Sequence, residues 1–160
     1  MMSTPERDQL TALQWVWWGA LGAFVLAGAT GALFRFGMAY GVTGALDLTN
    51  VRHAHSHLMY FGWVTPLLMA LIWRRLPAQA TARRRRGIRW VLGGIFAAAA
   101  IAYPLFFAFG YRPVPIGDGR MPIAVVGAGL NIFGWYGFVA LYARATRGLP
   151  RTRPLQLWDM

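Results

Sequence analysis

The chain has 160 residues, 57% of them hydrophobic and only 13% charged, with a formal net charge of +11. Recurrent apolar runs in so short a chain belong to a membrane protein, because about four spans of ~20 residues with their loops leave no room for a separate soluble domain. Cysteine is absent, which excludes disulfide frameworks, thiolate metal sites and cysteine nucleophiles, and the arginines gather at the ends of apolar segments, which points to a lipid bilayer and not to nucleic acid.

The first span is expected from about Trp15 to Phe36, opened by three tryptophans of the kind that settle at a membrane interface. An Ala-x-Ala at Ala27 and Ala29 would suit signal-peptide cleavage, but Glu6, Arg7 and Asp8 make no basic leader and the apolar run is too long. The second span runs from near Val51 to Trp73 and is stopped by "RRLP". Asp47, Thr49 or Asn50 can cap its start, and Thr65-Pro66 predicts a kink in its middle. The third runs from about Ile88 to Phe109 and the fourth from about Met121 to Tyr142, joined by the turn-rich "GYRPVPIGDGR". Small residues such as Gly19, Gly22, Gly28, Gly31, Gly127 and Gly129 predict close helix approach. The fold expected is all-α, a single membrane domain built as a four-transmembrane-helix bundle.

Orientation is read from the arginines. Arg74, Arg75, Arg83, Arg84, Arg85, Arg86 and Arg89 lie between the second and third spans, and Arg144, Arg147, Arg151 and Arg153 follow the fourth. Both regions are expected on the cytoplasmic side of the cytoplasmic (inner) membrane, with both termini, and the basic loop is expected to meet lipid headgroups.

All three histidines then fall at the outer end of the second span, at His53, His55 and His57. Polar groups are expensive at the edge of hydrocarbon, so their concentration there points to ligation, and neutral imidazole suits iron, copper and zinc. On an α-helix His53 and His57 point within about 40° of each other and His55 roughly opposite, so three ligands on one ion would require a non-helical first turn. The spacing is not the zinc-protease pattern, since Ala54 stands where that pattern has glutamate. The carboxylates Glu6, Asp8, Asp47, Asp118 and Asp159 form no pair within a span, and "GDGR" reads as a turn.

Arg35, the run "RHAHSH" from Arg52 to His57 and "FGW" from Phe61 to Trp63 resemble the start of the catalytic subunit of haem–copper oxidases and nitric-oxide reductases, and "GLNIFGWYGFVALYARATRG" is similar in style to that family's fourth helix. The resemblance implies a haem, b-type, with His53 or His57 as axial ligand and Arg35 or Arg52 near a propionate. His57, a turn deeper, is the expected ligand, His53 its supporting neighbour and His55 the least needed. The family has about twelve spans, and this chain lacks those that supply the second axial histidine, the copper ligands and the high-spin haem ligand, so it is no complete oxidase. That implies electron transfer or an accessory role, with other membrane subunits or a second copy as partner, or Met59 or Met69 as the other ligand. Trp158-Asp159 in the closing "RPLQLWDM" would suit the opening of a further helix. Two other functions fit the same residues: copper or zinc binding and handling by His57, His53 and His55 without haem, and a structural subunit of a membrane complex.

Overall fold

A computed structural model describes residues 4–41, 44, 46–77 and 84–147. The arginines at 83, 151 and 153 and the closing Trp158-Asp159 lie outside them. Within these residues the chain is all-α apart from one small hairpin. Helix α1 spans Thr4–Tyr40. The second span is α2 (Leu48–His57), a π-helical segment (Leu58–Val64) and α3 (Thr65–Arg74) without interruption. Helix α4 spans Arg85–Phe109, the antiparallel strands β1 (Val114–Ile116) and β2 (Gly119–Met121) follow, and α5 spans Ile123–Thr146.

Four stretches, Leu13–Tyr40, Leu48–Arg74, Arg85–Phe109 and Ile123–Thr146, are long and apolar enough to cross a membrane. At 1.5 Å per residue they are about 36 to 42 Å long, more than a ~30 Å hydrocarbon layer requires, so their ends reach the headgroups. The expected spans are therefore found, extended at most ends because an α-helix keeps its hydrogen bonds beyond the apolar run. The fourth begins two residues later than expected, since Met121 pairs with Val114 in the hairpin and Pro122 precedes the first turn.

The helices pack in chain order, α1 on the second span, that span on α4, and α4 on α5. Leu13, Val16, Trp73, Ile88, Leu92 and Phe138 form a core at the arginine-rich end, where all four spans contribute. At the histidine end the core is smaller, Ala54, Ala102, Phe106, Ala124 and Ala128. Small residues open the α4–α5 seam: a Cβ on Gly134 would lie 2.5 Å from Ile95, and one on Gly137 would lie 3.2 Å from Val91. Gly19 likewise faces Phe96, whereas Gly22, Gly28 and Gly129 meet nothing within 4 Å.

Pro66 acts differently from a simple kink. It has no N–H to give, and the turn before it widens so that the Thr65 N–H bonds to the Tyr60 carbonyl, five residues back. Thr65, Pro66, Leu58 and Gly62 are buried, so one side of the wide turn faces the protein, while Tyr60 on the other side is exposed.

Candidate functional site

Asp47 starts the second span. Its Oδ1 accepts from the N–H groups of Thr49 at 2.9 Å and Asn50 at 3.3 Å, satisfying two donors that the first helical turn leaves open. Its other oxygen lies 3.7 Å from Arg112, just past α4. Asn50, buried, donates from Nδ2 to the Ala108 carbonyl at 3.3 Å and presses Oδ1 against Gly110. Gly110 ends α4 at φ +59, a conformation that glycine adopts without strain and where a Cβ would collide with Asn50. These contacts hold the start of α2 to the end of α4 and bring the next residue, Tyr111, over the helix.

Helix α2 is regular through His57, so the histidines divide between its two sides. His55 faces α1. Its Nδ1 lies 2.8 Å from the carbonyl oxygen of Ala27, and its ring rests on Gly31, where a Cβ would stand 2.8 Å from Cε1 and 3.0 Å from Nδ1. A carbonyl only accepts, so Nδ1 carries the proton and Nε2 keeps its lone pair. That Nε2 has no hydrogen bond among the described residues and is not walled off by protein atoms.

The surroundings of His55 follow from helical spacing. Arg52 is three residues before it on α2, and Arg35 four residues after Gly31 on α1, so both arginines branch from the backbone about one turn toward the helix ends from the imidazole. Both arginines are exposed, and neither has a carboxylate partner among the described residues. Arg35 approaches only the Phe34 ring, at 5.9 Å. Gly28, open on one side, lies three residues from Gly31, and about two turns deeper Phe24 and Trp63 join α1 to the second span with ring centroids 4.4 Å apart. The α1–α2 seam thus carries the His55 ring against Gly31, with Arg35 and Arg52 about one turn nearer the helix ends and the Phe24–Trp63 contact about two turns deeper.

His53 and His57 face α4. The His57 ring stacks on Phe106 at 3.9 Å and 15°, its Nε2 lies 3.4 Å from the Tyr111 hydroxyl, and its Nδ1 is buried with no partner. The His53 ring meets Tyr111 edge-on at 4.5 Å. Tyr111 thus lies across both imidazoles. The predicted pairing of His53 with His57, opposite His55, is what the structure contains, and the unwound first turn that would gather all three is not. Among the described residues no group of three histidine, cysteine or acidic side chains is placed to hold a metal ion.

Sequence reasoning missed Tyr111 and Phe106, which come from the far end of α4. The signal available was the positive-φ glycine of "FGYRP", which turns the chain back over its own helix end. Compared with family models, with curated proteins and with solved structures, the chain matches none.

Proposed function

We propose that this is a haem-binding protein of the cytoplasmic membrane, acting in electron transfer or as an accessory subunit, with His55 as axial ligand and Arg35 and Arg52 beside the propionates. The observation that carries the reading is the hydrogen bond from His55 Nδ1 to the Ala27 carbonyl. It fixes the tautomer and the ring plane and raises the basicity of Nε2, which is how ligating imidazoles are held.

The residues present fit such a group. Gly31 provides the cradle for the imidazole. The arginines supply charge against two carboxylates at the membrane edge, where charge-assisted hydrogen bonds are strong. The Phe24–Trp63 pair places an apolar contact about two turns deeper on the same seam. His57 offers less, since it is stacked on Phe106 and its Nε2 lies behind Tyr111. The hydrogen bond to Ala27 therefore favours His55 over His57, the ligand expected from depth in the helix. When bound, haem supplies one-electron chemistry between ferric and ferrous iron. His53 and His57 lie on the other side of α2, so a second ligand to such a group would come from Met59 or Met69, a partner subunit or a second copy.

The test is the visible spectrum of the chain purified in detergent and supplied with haemin. A Soret band that shifts on addition of the protein and saturates at one haem per chain supports the reading, and its loss in His55→Ala with retention in His57→Ala supports the assignment. Loss in His57→Ala alone would return the role to that residue. No saturable shift in the wild type would overturn the haem reading and leave copper or zinc handling or a structural subunit as the function.

A further inference from the structure

We infer that the opposite side of α2 holds a separate site for a borderline divalent cation, Cu2+ or Zn2+, formed by His53, His57 and the Tyr111 hydroxyl. Two histidines four residues apart on a regular helix face the same way, the spacing by which helical His pairs chelate zinc. The helix is regular over both residues, because Asp47 caps it and the π segment begins only at Leu58.

A third donor comes from Tyr111. Its ring touches His53 at 4.5 Å while its hydroxyl lies 3.4 Å from His57 Nε2, so it spans the two imidazoles. At 3.4 Å that hydrogen bond is long for an O–H donor, and it is the single one that both nitrogens of His57 make. Neither tautomer satisfies the ring from protein alone. A cation on Nε2 replaces this weak bond by a metal–nitrogen bond of about 2.0–2.1 Å. The Phe106 stack fixes the His57 ring, and Gly110 with Asn50 fixes the loop that carries Tyr111, so the donors are held by three elements of the fold. Imidazole and phenol oxygen together suit copper or zinc and not magnesium or calcium.

The site is independent of the haem reading, because His55 points the other way and contributes nothing to it. The experiment uses the full chain in detergent without haem and titrates Cu2+ under electron paramagnetic resonance, with Zn2+ competition followed by calorimetry. One ion per chain with hyperfine splitting from two nitrogens is expected. His53→Gln and His57→Gln should each weaken binding at least tenfold, Tyr111→Phe by several-fold, and His55→Gln not at all, each variant checked for helix content by circular dichroism. Absence of a saturable site, or binding in His53→Gln and His57→Gln unchanged from the wild type, overturns the proposal, and so does loss in His55→Gln alone. If the His57 variant does not fold, the His53 and Tyr111 variants decide the outcome, since neither side chain fills the core.

Discussion

The Nδ1 atom of His55 lies 2.8 Å from the carbonyl oxygen of Ala27, a residue of the neighbouring helix that already accepts within its own turn pattern. The imidazole is thereby keyed into α1 at a point where only glycine leaves space, at Gly31. The first test of this contact follows. Gly31→Ala places a methyl group 2.8 Å from Cε1, so the ring must leave the carbonyl, and haem retention should fall by tenfold or more. Gly28→Ala meets nothing within 4 Å and should keep most of it. Equal spectra for the two variants would separate the ring position from cofactor binding.

Arg35 and Arg52 have no carboxylate among the described residues to meet. Arg35→Leu and Arg52→Leu should each weaken haem retention while leaving thermal unfolding of the cofactor-free protein within about 0.5 kcal/mol, as for other exposed substitutions. A loss of stability without a loss of cofactor would assign the arginines to lipid headgroups, with their stems lying along the helix.

The link between α2 and α4 can be cut at Asn50. Asn50→Ala removes the bond to Ala108 and should cost about 1–2 kcal/mol, because a partly buried carbonyl loses its side-chain donor. Asp47→Ala removes the cap of α2 and should cost about 1 kcal/mol. Both are read from unfolding midpoints in a fixed detergent. Asn50→Ala should also loosen Tyr111 over the imidazoles, visible as weaker Cu2+ binding without any change at His55.

Reporter fusions check the orientation. Fusions after Pro77 and after Arg147 are expected to read as cytoplasmic and one after Asp118 as external, since the arginines flank the first two positions. An external reading at Pro77 would invert the protein and place the histidines on the cytoplasmic side.

Much of the fold was legible because apolar runs and arginine clusters are one-dimensional signals. The cap at Asp47 was legible for the same reason, being local. The phase of the histidines followed from the 100° turn per residue alone, so the split of His55 from His53 and His57 needed no tertiary information. What was hidden depends on contacts between distant residues. Nothing near His55 in sequence announces the Ala27 carbonyl, just as nothing near His57 announces Phe106 and Tyr111. Pro66 signalled a disturbance but not its form, and Gly62, inside the wide turn, lies close to α1, where a Cβ on it would stand 3.0 Å from Ala23. The seam of Gly134 and Gly137 escaped notice because glycine has no periodic signature of its own.

The regular course of α2 through His57 makes this helix an insulating wall as much as a scaffold. The loop from Gly110 to Met121 touches His53 and His57 through Tyr111 and has no bond to His55, whose position is set by α1. An event at the exposed hairpin, such as a partner docking or a change of loop sequence, is therefore felt by two imidazoles and withheld from the third. Two chemistries can then lie two residues apart in sequence and vary separately, because what divides them is the angular phase of one helix.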